Sequence, residues 1–192
     1  LIFLVSTAWA THNRAGEITY RYISGNTYEI TVHTYTKTAS EADRPFLPID
    51  WGDGTPPDSI ARDQIIFTVG GNFDVQENLY IKRHTFPGAG TYNICVVDPN
   101  RIDDILNIAN SVEVVFAIQT TLRISPSIAP NNSVIFTNLP IQDACLFKPW
   151  VYNPGASDPD GNDSLSFKLV YSMGPYCEPF STGNYVYPNE IG

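Results

Sequence analysis

The side chains best suited to chemistry form one short acidic run in the last quarter of the chain. Asp158, Asp160 and Asn162 alternate along it and Asp163 follows, so several oxygen ligands come from one tight loop. Calcium takes about six to eight oxygen ligands, so the run is a candidate calcium site. An EF-hand would also need a glutamate at the twelfth loop position, where this chain has Leu169. The D-P-D-G sequence is a good turn in any protein, so a calcium site and a plain turn remain alternatives.

Motifs of known catalytic sites are missing from the sequence. It has no G-x-S-x-G, no H-E-x-x-H and no Walker loop. The histidines, His12, His33 and His84, lie far apart, which favours structural or solvated roles. Asp53 has no carboxylate or histidine next to it in the sequence, which favours a turn former over a catalytic acid or metal ligand. We therefore expect a protein that is not an enzyme.

The three cysteines indicate at most one disulfide bond. Cys145 and Cys177 both lie in loop sequence rich in proline, and a disulfide between them is plausible. Cys95 lies in an apolar run and is interpreted as a small buried hydrophobe. Since no C-x-x-C pair or His/Cys cluster is present, zinc is not expected.

Composition favours a globular protein rich in β-structure. Of the 192 residues, 43% are hydrophobic and 16% are charged, against an average charged share of about 25%. Coiled coils and helix bundles need more charge than this on their exposed positions. The 15 prolines, 13 glycines, 11 tyrosines and 10 phenylalanines indicate many turns between aromatic-rich strands.

The charge balance excludes two classes of partner. The chain carries 11 basic and 20 acidic residues, a net charge of −9. Nucleic-acid binding and attachment to anionic membranes both depend on clustered lysine and arginine. We therefore expect no nucleic acid as a partner.

The first ten residues are interpreted as the remnant of a signal peptide. They are apolar and end in Ala8-Trp9-Ala10, an A-x-A cleavage site that would leave Thr11 as the mature N-terminus. The run is too short to span a bilayer, which needs about 20 residues, so no membrane span is expected in the mature chain. A buried first strand is the alternative. The signal peptide predicts a secreted or cell-surface protein.

Alternating apolar residues predict a sandwich of β-strands over residues 17–124. Two such runs flank Ser24-Gly25-Asn26 and indicate a β-hairpin. Further strands are expected at 46–51, 65–69, 79–86, 91–97 and 111–124. Several short strands separated by turn signals are typical of an antiparallel sandwich of about 100 residues.

Residues 125–192 are expected to form a second, incomplete β domain. A stretch rich in Pro, Ser and Asn, 125–133, separates it from the first. Strands are expected at 134–136, 150–152 and 164–171. These are too few to close a sandwich.

Two ordered motifs stand out in residues 17–124. The first motif is Trp51-Gly52-Asp53-Gly54, and the second contains His84, Phe86, Gly90, Thr91 and Tyr92. Together they resemble the PKD (polycystic-kidney-disease) domain, an immunoglobulin-like β-sandwich of extracellular proteins. Phe86 replaces the commoner tyrosine, and the loop between the motifs is long. The resemblance implies an immunoglobulin-like fold over residues 17–124. In it, Trp51 would fill the space between the sheets and the Tyr92 hydroxyl would bind loop backbone, like a tyrosine corner.

The acidic run carries a second resemblance. With the flanking residues it is similar to the A-x-D-x-D-G-D-x-L pattern of cadherin-like and related immunoglobulin-like domains. In that family the aspartates often bind calcium at an interdomain junction. The stretches 10–20 and 153–158 also look like parts of large surface proteins of gliding Bacteroidetes, which carry PKD modules and a sorting domain associated with gliding motility.

These resemblances imply a non-enzymatic extracellular or cell-surface module. It would act as a spacer and an adhesion region of a larger secreted protein, with an extracellular protein or polysaccharide as its partner. The alternative is an accessory region that holds a secreted chitinase, protease or glycosidase near its substrate. An exposed row of aromatic rings would favour that alternative.

Overall fold

The computed structural model describes an all-β molecule over residues 13–38, 44–67, 74–99, 101–142, 144–145, 147–179 and 185–187. The proposed signal peptide at 1–10 lies outside the described residues. The strands in the described part are β1 (Asn13–Ser24), β2 (Thr27–Lys37), β3 (Phe46–Asp50), β4 (Asp58–Phe67), β5 (Val75–Thr85), β6 (Gly90–Asp98), β7 (Phe116–Ile124), β8 (Ile135–Phe136) and β9 (Ala156–Ser157). Short 3₁₀ turns lie at Ser111–Glu113 and Pro175–Cys177. The predicted all-β fold class is confirmed.

The β1–β2 hairpin turns at two residues, Gly25 and Asn26. Gly25 has a φ of 55°, which a two-residue hairpin turn requires and which glycine adopts without strain. From this turn the antiparallel register follows, with Tyr20 opposite Ile30 and Glu17 opposite His33. The hairpin predicted from the alternation is therefore present.

The strand order is that of an immunoglobulin sandwich. Seven strands pair in the order β1-β2-β5-β4-β3-β6-β7. β4 changes layer along its length, because residues 58–61 pair with β3 and residues 62–67 pair with β5. One layer is thus β1-β2-β5-β4 and the other is β3-β6-β7, which matches the ABED and CFG sheets of a constant-type domain.

The core fills the space between these two layers. Alternation along β2 and β6 turns every second side chain inward, and those side chains are almost fully buried. The largest completely buried side chains are Trp51, Tyr28, Tyr80, Phe86, Ile30, Leu47, Ile49, Ile60, Ile94 and Leu122. Trp51 and Tyr92 are both buried, as the sequence predicted. Burying such side chains contributes about 1.5 to 3 kcal/mol each before entropy is counted.

Beyond Ile124 the described residues form little regular structure. We call the described residues from 125 to 187 the C-terminal region. Its only strands there are β8 and β9, of two residues each, which pair with one another. The strand expected at 164–171 is absent, since no backbone pairing involves these residues. Phe167 and Leu169 are consequently exposed, because alternation alone makes no strand without a neighbouring backbone to pair with.

The disulfide differs from the predicted pairing. Cys177 is bonded to Cys95, and Cys145 is a free, exposed thiol. In β6 the inward side chains are Tyr92, Ile94 and Val96. Cys95 therefore lies on the outer face of the sheet, where the C-terminal region reaches it. The prediction of Cys145 as the partner of Cys177, and that of Cys95 as a buried hydrophobe, are both wrong.

The side chain of Arg101 also holds the C-terminal region against the rest of the molecule. The guanidinium of Arg101 donates to the carbonyls of Val115 and Met173, both at 3.0 Å. It also lies 5.5 Å from the centre of the Phe116 ring. Burial lowers the pKa of Arg101.

Within the described residues, no helix is long and apolar enough to cross a bilayer.

Candidate functional site

The W-G-D-G segment forms a tight corner at the end of β3. Gly52 has a φ of 69°, and a Cβ on it would collide with the backbone of Asn93. Its N–H donates to Asp50 Oδ1 at 2.8 Å. Glycine is therefore required at position 52 by both conformation and space.

Asp53 and His84 form a buried pair beneath this corner. Nε2 of His84 lies 2.8 Å from Oδ2 of Asp53, and the His84 ring stacks on Trp51 with centroids 4.3 Å apart. Asp53 Oδ1 accepts from the backbone N–H of Thr55 at 3.0 Å and from its hydroxyl at 2.6 Å. Burial acts to raise the pKa of Asp53, but the hydrogen bonds from Thr55 and His84 outweigh it and hold the pKa at about 2.

The second motif closes the same end of the core. Phe86 packs on Tyr92, with ring centroids 4.6 Å apart. The Tyr92 hydroxyl donates to the carbonyl of Gly88 at 2.9 Å, in the manner of a tyrosine corner. A Cβ on Gly90 would lie 3.0 Å from the Tyr92 ring, so glycine leaves room for the ring. The structure thus brings the two motifs together in one packed unit.

The polar side chains of the two packed motifs hold the corner together. Both oxygens of Asp53 are occupied, and His84 is held between Asp53, Trp51 and Phe86. Gly54, with a φ of 84°, lies at the solvent side of the turn, where a Cβ would meet no other atom within 4 Å. The geometry agrees with the turn-forming interpretation of Asp53.

The acidic loop organises itself through backbone donors. The Asp158 carboxylate accepts from the N–H groups of Asp160 at 3.0 Å, Asn162 at 2.8 Å and Asp163 at 2.8 Å. Hydrogen bonds from the Asp163 and Asp160 backbone lower the pKa of Asp158. The Asn162 contact is through its backbone.

The remaining carboxylates of the loop bind two asparagines. Asp160 accepts from the backbone N–H and the side-chain amide of Asn132, at 2.7 and 2.6 Å. Asp163 accepts from the Asn131 amide at 2.8 Å. Across the part of the chain that is described, no group of three or more His, Cys, Asp or Glu side chains is arranged to hold a metal ion. Of the predicted calcium ligands, Asp158, Asp160 and Asp163 serve here as hydrogen-bond acceptors, while Asn162 donates through its backbone N–H.

Asn132 and Ser133 carry this loop onto the open edge of β1. Asn132 Oδ1 accepts from the Tyr22 N–H at 2.8 Å. Ser133 Oγ accepts from the Tyr20 N–H at 2.9 Å, and the Ser133 N–H donates to the Tyr20 carbonyl at 2.9 Å. The unpaired edge of the sandwich is thereby partly satisfied. These contacts were missed from the sequence, where 125–133 is interpreted as a linker or a domain's entry strand.

A cavity of about 220 Å³ lies where the C-terminal region meets β1 and β2. Its lining residues are Gly16, Glu17, Tyr35, Phe136, Asn138, Pro140, Tyr152, Pro154 and Phe167. Most of this lining is apolar or aromatic, with a single carboxylate. Such a lining is typical of a site that holds a small organic group.

Charged groups lie close to two of the lining residues, Glu17 and Tyr35. His33 Nδ1 lies 2.7 Å from Glu77 Oε1, and the Tyr35 hydroxyl donates to the same oxygen at 3.3 Å. Glu17 Oε2 is buried and has no hydrogen-bond partner. Burial raises the pKa of Glu17; nearby His33 opposes this rise and Glu77 adds to it. Burial, followed by the charges of Glu77 and Glu17, also raises the pKa of Tyr35. The hairpin register that places Glu17 opposite His33 is the sequence signal that could have found this cluster.

The C-terminal region also displays aromatic side chains to solvent. Phe147 and Tyr176 are 101% and 90% exposed, and their φ angles are 59° and 63°. Bulky residues are strained at positive φ, where glycine is not. Backbone strain of this kind occurs at functional sites, so the two rings are candidates for contact with a partner.

Trp150 and Tyr152 form a second aromatic feature of this region. Their rings are parallel within 5°, with centroids 5.8 Å apart, and Trp150 is half exposed. Sugar rings pack on aromatic faces of this kind through apolar contact.

Comparisons with protein-family models, with curated proteins and with solved structures find no match for the chain. The resemblance to PKD domains and to gliding-motility surface proteins stays a prediction from the motifs quoted above.

Proposed function

We propose that the chain is a non-enzymatic interaction module of a secreted or cell-surface protein. The sandwich acts as a rigid spacer, and the C-terminal region contacts an extracellular protein or polysaccharide. The observation that carries the proposal is the display of Phe147 and Tyr176 on strained backbone, fully in solvent. The W-G-D-G corner and the ABED/CFG strand order support a PKD-like assignment of the sandwich.

The disulfide supports an extracellular location. Cys95 and Cys177 are 82 residues apart in sequence and are joined by it. Disulfides of this kind persist in oxidising compartments and are rare in the cytosol. A secreted protein would form this bond on export, and N-terminal sequencing of the exported protein should give Thr11.

The test of the interaction surface is a binding assay with matched variants. The fluorescently labelled chain is titrated against arrays of extracellular proteins and against insoluble cellulose, chitin and xylan. Saturable binding to at least one target is expected, and Phe147→Gly with Tyr176→Gly should weaken it about tenfold without lowering the melting temperature. Glycine relieves the positive φ, so a loss of binding cannot be attributed to unfolding.

Leu106→Ala is the matched control. Leu106 is 86% exposed and precedes β7, outside the C-terminal region. It should leave binding unchanged. Equal binding by the double glycine variant and the wild type would contradict the proposal.

A second candidate function is substrate holding for a secreted hydrolase, which the stacked Trp150 and Tyr152 rings favour. In that case the chain would sediment with one insoluble polysaccharide, and Trp150→Ala would abolish sedimentation. Binding to protein targets alone, with no sedimentation, would exclude this alternative.

Calcium binding at Asp158, Asp160, Asn162 and Asp163 stays a prediction. Sites in extracellular modules bind calcium at about 10⁻⁴ to 10⁻³ M. Calcium at several millimolar should then raise the melting temperature, and Asp160→Asn should remove the increase. If calcium leaves the melting temperature unchanged, the loop serves only as a turn and as the contact to Asn131 and Asn132.

A further inference from the structure

One carboxylate oxygen in the cavity, Oε2 of Glu17, has no hydrogen-bond partner. His33 and Glu77 are paired with each other at 2.7 Å, and Tyr35 adds a hydrogen bond to Glu77. Glu17 makes no ion pair or hydrogen bond through its buried Oε2. A buried carboxylate oxygen without a hydrogen-bond partner is destabilising. We therefore expect a ligand or partner to supply the missing hydrogen-bond donor for Glu17.

The phenol groups beside Glu17 are already committed elsewhere. The Tyr35 hydroxyl donates to Glu77 at 3.3 Å. The Tyr152 hydroxyl donates to the Asn138 carbonyl at 3.4 Å. Each tyrosine has a single O–H donor, so neither can serve Glu17 without breaking an existing bond. A ligand that completes Glu17 must therefore bring its own donor.

The other lining residues indicate which kind of donor group the ligand carries. Rings of Tyr35, Phe136, Tyr152 and Phe167 line the cavity. Aromatic faces attract organic cations, and an isolated carboxylate pairs with an ammonium group. A metal ion would want several oxygen ligands, whereas this cavity offers one carboxylate. A volume of about 220 Å³ is ample for a short alkyl chain with its head group.

We propose that this cavity binds an alkylammonium group, either a free amine or the side chain of a lysine. The ammonium donates to Glu17 Oε2, and its methylene groups lie against the aromatic rings. This site is separate from the Phe147 and Tyr176 display and does not depend on the function proposed for it.

The test is calorimetric titration of the full chain with n-butylammonium and with N-acetyl-lysine methylamide. The neutral isostere n-butanol serves as the ligand control. Saturable binding of an ammonium probe is expected, with n-butanol at least about tenfold weaker, because only the cation balances Glu17. Binding of both probes indicates a site for free amines as well. Binding of the lysine derivative alone indicates a lysine of a partner protein.

Two variants, Glu17→Gln and Phe167→Leu, locate the site, and Glu113→Gln is the control. Glu17→Gln keeps the shape but removes the charge, and it should weaken binding at least about tenfold while the melting temperature stays equal or rises. Glu113→Gln, at an exposed position, should change nothing. Phe167→Leu removes one ring and should weaken binding about threefold, as for a partly exposed cation–π contact.

The proposal is overturned if n-butanol binds as tightly as n-butylammonium, if Glu17→Gln keeps the wild-type affinity, or if neither ammonium probe binds saturably. A fall in the melting temperature of Glu17→Gln together with unchanged binding by Phe167→Leu would assign Glu17 a purely structural role and overturn it as well.

Discussion

The sandwich and the C-terminal region contain similar apolar alternation but use it differently. In β6, Ile94 is 0% exposed because β3 and β7 pair with this strand on both edges and the opposite layer covers one face. In the C-terminal region, Phe167 is 67% exposed because no strand pairs with its segment. This difference shows that alternation of apolar residues determines which side chains share one face of a strand. Pairing with neighbouring strands determines whether that face becomes part of the core.

A few specific contacts join the two regions. They include the Cys95–Cys177 bond, the Arg101 guanidinium, and the contacts of Asn132 and Ser133 with the β1 edge. These links are polar and covalent, whereas the sandwich itself depends on apolar burial. Substitutions at defined positions in the two regions test this contrast.

The largest effect is expected at Trp51, and Trp150 provides the same residue type in the other region. Trp51 is 1% exposed and stacks on His84. Trp51→Ala should lower the free energy of unfolding by about 3 to 5 kcal/mol, through lost burial and the cavity that remains. Trp150→Ala should change it by less than about 1 kcal/mol. Chemical denaturation followed by circular dichroism measures both, and similar losses at the two positions would show that the regions share one core.

The next effect concerns the covalent link. Replacing Cys95 and Cys177 together by Ala should lower the stability by about 2 to 5 kcal/mol, because the bond constrains a long loop in the unfolded chain. Cys145→Ala, at the free exposed thiol, is the control and should have no effect. Mass spectrometry of peptides from the unreduced protein should find Cys95 joined to Cys177. A Cys145–Cys177 peptide would contradict this arrangement.

A smaller effect is expected at Asp53 and should depend on pH. Its folded pKa of about 2 lies below the ordinary value of 3.8. A depressed carboxyl pKa stabilises the fold above the unfolded pKa, and this contribution is lost as the pH falls from about 4 to about 2. Asp53→Asn should therefore lower the stability by about 2 kcal/mol at pH 7 and by much less at pH 2.5. An equal loss at both values would mean that the charge of Asp53 contributes nothing.

The smallest effect is expected at the junction. Asn132→Ala removes the acceptor for the Tyr22 N–H and the amide that binds Asp160. We expect a loss of about 1 to 2 kcal/mol, since a partly buried backbone donor is left without a partner. Asn131→Ala, which removes one exposed contact with Asp163, should have a smaller effect. If both variants behave alike, the contact with the β1 edge is not what holds the acidic loop.

Much of the sandwich followed from local sequence. Turn residues and alternation predicted the β1–β2 hairpin, and the W-G-D-G and G-T-Y motifs predicted a corner in which Trp51 and Tyr92 are buried. The first half of β4 was missed because its residues are mostly polar and it becomes a strand by pairing with β3. Pairing of this kind is a long-range property that local patterns do not contain.

The candidate site was less accessible to prediction. Glu17 and His33 could have been placed opposite one another from the hairpin turn, but the C-terminal side chains that cover them could not. The outward position of Cys95, predicted wrongly as buried, could have been inferred from the alternation with Ile94 and Val96, but its partner depended on the path of the C-terminal region.

Hydrogen exchange followed by mass spectrometry tests the contrast between the two regions most directly. Amides of β2, β5 and β6 should exchange only through global unfolding, because they lie inside the paired, buried layers. Amides of residues 147–171 should exchange orders of magnitude faster, since few of them take part in backbone pairing. Comparable protection in both regions would contradict the account, because the C-terminal region would then form a cooperative core with the sandwich.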